Sequence, residues 1–397
     1  MAVYSIICEY NPFHNGHKYQ IDSLKPDTVV CLMSSDFVQR GSMAVCDKYT
    51  RARAALECGA DLVLELPYPF SMLSAEYFAS AGVKILDKLG FTDYLSFGCE
   101  CDDLDKLEKI AEYLVSDEFE KDIKEIIKSS PQLSFAVSRE RAIEKKMGGE
   151  YSTILREPNN ILGVEYIKAI KRTQSSIAPK PLLRKSAGHH DVSVKDGVAS
   201  AGTIRRMIKD KKDFSHVVPE TAYEIYNDLY NKGRFPSDFS KLDTAFLAFL
   251  RKVSSKELSE FYDCYAVSDI IKKAASQAVS MNELYDLCSG SNFTRARIRR
   301  CIMAAFMGLK QIDAMADPLY TTVLGLNHKG AKLLSGIRKE CGIAIITKPA
   351  HIKKYDGTDV YRQYMMGLAA SDIYGLTFPE ITPSGDYLRK TPVTFGF

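Results

Sequence analysis

Two histidines three residues apart, His14 and His17, with Gly16 just before the second, are the side chains best suited to chemistry in this chain of 397 residues. They follow an apolar run, Val3–Cys8, that reads as a buried strand, and they open a predicted helix over 16–24. A parallel sheet binds its ligands where a strand turns into a helix. Backbone N–H groups and the positive end of the helix dipole favour a phosphate there. A second segment, Val198-Ala199-Ser200-Ala201-Gly202-Thr203-Ile204-Arg205, offers hydroxyls, helix-start amides and a guanidinium. Together the two segments point to a nucleotide site acting at the α-phosphorus of a nucleoside triphosphate. Breaking that bond loads charge onto the phosphate oxygens and the leaving pyrophosphate. The site then needs donors and cations rather than a nucleophile of its own. His14, His17 and Arg205 are the candidate catalytic residues, and Ser200 and Thr203 assist from the far side. Gly16 would let the base or ribose lie against the backbone. The bland alternative is a pair of turn histidines with ordinary helix caps. The position after a first strand, and the second segment, favour the site.

Other residues could complete it. The polar loop 34–47 carries Asp36, Gln39, Arg40 and Asp47, and Lys48 begins the next helix. It reads as a solvated loop or as a lip over the phosphates, with Arg40 or Lys48 holding a carboxylate or phosphate. Gly98, at a strand end, could admit the adenine ring. Asn159 could bond nucleotide edges or simply make a turn after Pro158. Arg184 ends a strand and could reach the triphosphate. His189-His190-Asp191 reads as a loop near the site in preference to a metal cluster. Cys99 and Cys101 lack a second pair at zinc spacing, so no metal ligand is assigned. The densest basic run is Arg295, Arg297, Arg299 and Arg300, offset by no nearby acid in sequence. It reads as a contact to a nucleic-acid backbone or as a solvated face.

The elements that must position these groups begin as alternating strands and helices: strands at 28–33, Leu62–Leu66 and 94–97, and helices near 49–58 and 74–88. That alternation predicts an α/β fold with a Rossmann-like parallel sheet covered on both faces. A charged helical stretch follows (about 102–150), then a break at Pro158 before a helix over 161–170. A last strand over 181–184 and a helix after Gly202 complete the unit. Pro219 opens a helical region with helices over 221–230, 244–252, 268–278, Met281–Leu287 and 292–306. A small C-terminal α/β segment follows, with strands over 322–326 and 343–346 around a helix over 330–339. The expected domains are 1–215, 216–315 and 316–397. A 46% hydrophobic composition supplies ample core, and a net charge of +3 neither demands nor excludes nucleic acid. Ten cysteines without a framework, and no secretory or membrane segment, predict a reduced cytoplasmic protein.

His14-Asn15-Gly16-His17 and 200–205 resemble the H-x-G-H and I-S-S-T-x-I-R signatures of the nucleotidylyltransferase superfamily. The whole chain resembles the bacterial tRNA(Met) cytidine acetate ligase family. The matching stretches are 9–17, 33–41, 59–67, 158–163 and Val323-Leu324-Gly325-Leu326-Asn327. The chain departs from the signatures at Ala201 and Gly202, and from the family at Ser35-Asp36. The resemblance implies that ATP activates acetate to acetyl-adenylate, which then acetylates the exocyclic amine of the wobble cytidine of elongator tRNA(Met). It implies nucleotide binding by Ile7, Cys8, Glu9, Tyr10, Asn11, Pro12, Phe13, His14, Asn15, Gly16, His17, Lys18, Tyr19 and Gln20, and by Gly98, Asn159 and Arg184. Mg²⁺ is expected with the triphosphate, without assignable ligands. Two other readings are open to the residues: a nucleotidylyltransferase acting on a small phosphorylated metabolite, and a non-catalytic tRNA-binding protein.

Overall fold

The computed structural model describes residues 1–184, 197–289, 293–337 and 341–397. Its elements in chain order are β1 (Val3–Cys8), α1 (Asn15–Ser23), β2 (Thr28–Ser34), β3 (Phe37–Val38), β4 (Ser42–Met43), α2 (Lys48–Glu57), β5 (Leu62–Leu66), α3 (Ala75–Leu89) and β6 (Tyr94–Cys99). Then come α4 (Leu104–Leu114), α5 (Asp117–Ser129), α6 (Phe135–Met147), α7 (Gly149–Ile154), α8 (Pro158–Thr173), β7 (Ala178–Leu183) and α9 (Ala201–Lys209). The helical region holds α10 (Glu220–Asn231), α11 (Asp243–Lys252), α12 (Ser255–Ser259), α13 (Ser268–Gln277), α14 (Met281–Leu287), α15 (Arg295–Phe306) and α16 (Gln311–Met315). The C-terminal segment contributes β8 (Tyr320–Leu326), α17 (His328–Ser335), β9 (Ala344–Ile346), α18 (Asp359–Gly375) and β10 (Val393–Thr394).

The expected α/β sheet is present. Its order is β10-β8-β5-β2-β1-β6-β7, with β9 beside β8. Strands β5, β2, β1, β6 and β7 are parallel neighbours. Every residue of β2 and β5 is buried, and both strands are mostly apolar, with Glu65 the one charged residue between them. The chain runs from β1 to β2 on one side and returns to β6 on the other. The switch point of the sheet therefore lies between β1 and β6, where a ligand is expected at the strand ends.

The C-terminal segment is α/β as expected, and it is built into the main sheet. β8 joins the main sheet antiparallel to β5, and β10 follows β8. Close approach makes the join: a Cβ on Gly325 would fall 2.4 Å from Leu56 Cδ1, and one on Gly330 would fall 2.2 Å from the Asp61 carbonyl oxygen. The Asn327 amide donates to Asp61 Oδ1 at 2.8 Å. The two distant stretches 59–67 and 323–327 are thus one contact.

Other differences are local. The predicted break at Pro158 is a helix start, because proline at the first helical turn forfeits an N–H that has no partner there anyway. Asn159 and Asn160 sit in the first turn of α8 as a result. The charged stretch after residue 102 resolves into α4 to α7. The predicted helix ends at 292 and 339, and His189-His190-Asp191, lie outside the described residues. Among the described residues no helix is long and apolar enough to cross a membrane.

Candidate active site

β1 ends at Cys8, and the chain turns through Tyr10, whose φ of 48° lies in the left-handed region. Buried Phe13 donates its N–H to Tyr226 Oη at 2.9 Å, which holds the entry to α1. His14 is the N-cap of that helix. Its Nδ1 accepts the Gly16 N–H at 3.1 Å, and His17 Nδ1 accepts the His14 N–H at 3.3 Å. The pair forms a reciprocal capping box in imidazole. The rings stack at 3.6 Å between centroids.

These bonds decide the tautomers. A neutral imidazole that accepts at Nδ1 carries its proton at Nε2. Both rings are held neutral. Burial, then the charges of Arg184 and Arg205, lowers His14 to about 3. Burial, then His14 and Arg184, holds His17 well below the ordinary imidazole range. The result is two fixed Nε2–H donors at a helix N-terminus. Gly16 also serves the first histidine: a Cβ there would lie 3.0 Å from His14 Cε1, so glycine makes room for the His14 ring.

Arg205 stands in the first turns of α9. Its guanidinium donates to the Asn11 carbonyl, and Ser200 caps the same helix by accepting the Thr203 N–H at 3.1 Å. Asn11 Oδ1 in turn accepts the Val45 N–H at 2.8 Å. Asn15 ties the segment to Gly197 through a 2.8 Å bond to its carbonyl, and Gln20 reaches Ser96 Oγ at 3.3 Å. Lys18 pairs instead with Asp22 on the exposed side of α1.

Gly98, Asn159 and Arg184 come together from three elements. Arg184 donates its N–H to the Cys99 carbonyl at 3.0 Å, and a Cβ on Gly98 would lie 3.3 Å from Arg184 Cγ. Gly98 therefore clears a path for the arginine. Asn159 donates to Glu100, and Arg184 Nε lies 3.9 Å from the same carboxylate. Asn160 Oδ1 accepts the Glu100 and Cys101 N–H groups at 2.9 and 3.0 Å. Glu100 is a hub the sequence did not single out.

The loop 34–47 folds inward more than expected. Lys48 is buried and pairs with Glu65 at 2.7 Å, while Asp36 accepts the Lys48 N–H and the Ser371 hydroxyl at 2.9 and 2.8 Å. Lys48 is thus a structural cation, not a lip residue. Arg51, fully buried, donates to the carbonyls of Glu9, Ser34, Ser35 and Cys46. It clamps the β1 and β2 ends together. Nothing in the spacing of this arginine announces that role.

The basic run on α15 is less open than its sequence suggests. Arg295 pairs with Asp286 at 2.7 Å and Arg297 with Asp263 at 2.8 Å. Arg300 is 8% exposed and lies 3.5 Å from Asp263, so burial removes it from any surface an RNA could touch. Among the described residues, no group of three or more His, Cys, Asp or Glu side chains is placed to hold a metal ion.

The HIGH Nucleotidyl Transferase family model matches residues 1–386. The chain belongs to that family of nucleotidyl transferases. It is 34% identical to a tRNA(Met) cytidine acetate ligase of Acetivibrio thermocellus over 95% of each chain, and 36% identical to that of Caldanaerobacter subterraneus over 97% of each. Crystal structures of Thermotoga maritima TmcAL, apo and bound with alpha-thio ATP, superpose with TM-scores of 0.93 and 0.90 at 30% and 29% identity, covering 99% of both chains. Within the nucleotidyl transferases, the chain is a member of the tRNA(Met) cytidine acetate ligase family.

Proposed function

We propose that this chain is an ATP-dependent ligase that forms acetyl-adenylate from acetate and transfers the acetyl group to the exocyclic amine of the wobble cytidine of elongator tRNA(Met). The observation that carries the chemistry is the locked pair of Nε2 donors on His14 and His17, near Arg184 and Arg205. The substrates are those in the names of its relatives.

In this reading the nucleotide lies over Ile7 to Gln20 at the end of β1, with Gly98, Asn159 and Arg184 on the β6 side and Ser200 on the other. A carboxylate oxygen of acetate attacks the α-phosphorus, and pyrophosphate leaves. Neutral imidazole donors suit this step, since they follow charge as it develops without the desolvation cost of a buried cation. Arg205 and Arg184 supply the positive charge. The cytidine amine then attacks the mixed anhydride, forming the C–N bond, and AMP departs. Mg²⁺ is expected to arrive on the triphosphate. We assign 1–215 to adenylation, with 102–150 as a helical insertion. The stretch 216–315 is assigned to tRNA contact through Arg295 and Arg297, and 316–397 to closing the sheet. The setting is cytoplasmic.

Acetate-dependent ATP–pyrophosphate exchange, with and without unmodified elongator tRNA(Met), tests this. Exchange followed by acetyl transfer supports it. AMP left attached to a metabolite, or tight tRNA binding with no ATP turnover, would replace it with one of the two other readings.

A further inference from the structure

The helical region reaches into the nucleotide site. Arg295 and Arg299 stand one turn apart on α15, and each guanidinium lies 5.1 Å from the ring centre of Tyr285. The row runs inward, from exposed Arg295 to half-buried Arg299. At its inner end the helix backbone abuts the turn that carries Arg40 and Gly41. A Cβ on Gly41 would fall 2.4 Å from the Arg300 amide nitrogen and 2.8 Å from the Arg299 carbonyl carbon. Only a hydrogen fits between the two backbones, and the φ of +68° at Gly41 favours glycine as well. Two residues earlier, Gln39 donates its N–H to Glu9 Oε1 at 3.0 Å. The α15 backbone, the turn and the segment that follows β1 are therefore in direct succession.

Charge follows the same line. Burial lowers the Arg205 guanidinium, Glu9 opposes that, and the charges of Arg40 and Arg299 add to it. Arg299 is lowered by burial, against Tyr285, and further by Arg295 and Arg40. Three like charges drawn from three elements repel one another, and a polyanion placed among them relieves that repulsion. Arg295 and Arg297 have carboxylates of the helical region beside them, whereas Arg299 lies over Tyr285 with its backbone against Gly41.

We infer that Arg299, brought in by the contact of α15 with Gly41, is a phosphate-binding residue of the nucleotide site, where with Arg40 and Arg205 it holds the β- and γ-phosphates and then the leaving pyrophosphate. This rests on the ATP reading above. The same chemistry could serve an RNA backbone phosphate, so the test separates the two sources.

Calorimetric titration of the full chain with α,β-methylene ATP, with AMP and with unmodified elongator tRNA(Met) is the experiment, comparing wild type, R299Q and R299K at one salt concentration. Loss of one charge-assisted phosphate contact should weaken R299Q for the triphosphate about tenfold. AMP and tRNA affinity should change less than about twofold, and R299K should recover part of the loss. G41A, which pushes α15 away, should weaken triphosphate binding as R299Q does. Weakened tRNA binding with triphosphate binding intact would make Arg299 an RNA contact and overturn the inference, as would equal losses for the triphosphate and AMP, or no change in any. R299K retains the charge and the stem over Tyr285, so a fault in folding alone would show as matched losses in R299Q with normal behaviour in R299K, which also overturns it. Wild-type protein that binds no triphosphate would instead overturn the ATP reading itself.

Discussion

The imidazole of His14 lies over that of His17 at 3.6 Å, tilted by 23°, and each ring gives its Nδ1 to a backbone N–H at the start of the same helix. The two Nε2–H groups are thus set by the backbone and not by solvent. Replacing either residue by alanine should cut acetate-dependent ATP–pyrophosphate exchange by roughly 10²–10³-fold, the usual cost of one transition-state donor. Glutamine, whose amide can present an N–H near the Nε2 position, should retain more activity than alanine. Near-normal exchange in a folded H17A protein would sink the assignment.

The same neutrality has a pH signature. His14 is held at about 3, against about 6.5 for a free histidine. Below pH 6.5 the unfolded chain takes up a proton that native His14 refuses, so stability falls as pH falls. The slope is about 1.4 kcal/mol per pH unit for each such group, and for His14 it persists to about pH 3. Denaturant melts between pH 7 and 5 should be flatter in H14Q than in wild type. The His14 ring resonances should not move between pH 8 and 5; a titration midpoint near 6.5 would refute the buried, neutral ring.

Gly98 clears the path of Arg184, with only 3.3 Å from a Cβ position to Arg184 Cγ. Gly98→Val should displace the guanidinium and weaken ATP binding about tenfold or more, while Gly98→Ala should do so less. Isothermal titration with a non-hydrolysable ATP analogue checks this, and equal affinity in wild type and G98V would disprove it.

Lys48 and Glu65 form a buried pair at 2.7 Å. Lys48→Met should cost about 3–5 kcal/mol, because it leaves the Glu65 carboxylate buried without its cation. K48M/E65L should recover much of that loss. Urea unfolding of the three proteins reads the difference, and a silent K48M would show that the pair is not structural.

Arg295→Gln should weaken tRNA binding, lower the dependence of log affinity on log salt by about one, and spare adenylate formation. Neutral glutamine avoids setting a new acid against Asp286, 2.7 Å away. A salt slope equal to that of the wild type would remove Arg295 from the RNA face.

Much of the site was legible because its parts are local. A strand, a turn and a helix start lie within the first two dozen residues, and His14 and His17 act within one helical turn. Gly98 and Arg184 lie at strand ends, and Ser200 and Arg205 at a helix start, as read, whereas Asn159, read in a break after Pro158, lies in the first turn of α8. What stayed hidden depends on partners remote in the chain. Lys48 looked free until Glu65 and Ser371 closed on it. The arginines of α15 looked unopposed until Asp263 and Asp286 were brought beside them. The contact of Gly16 with its own helix cap, His14, was not read. The place of the C-terminal strand in the main sheet was not read, because antiparallel pairing with Leu62–Leu64 leaves no trace in local periodicity.

That last pairing bears on how the protein is made. The β5 strand is buried along its whole length, and its outer edge is covered by β8, about 250 residues further on. At about 5–20 residues per second, a ribosome needs on the order of 10–50 seconds to deliver that cover. During that interval the nascent sheet has an open apolar edge of the kind that recruits stray strands. A message truncated before β8 would therefore yield not a smaller working enzyme but an aggregation-prone fragment, and the chain needs its last eighty residues to leave the ribosome as a safe protein.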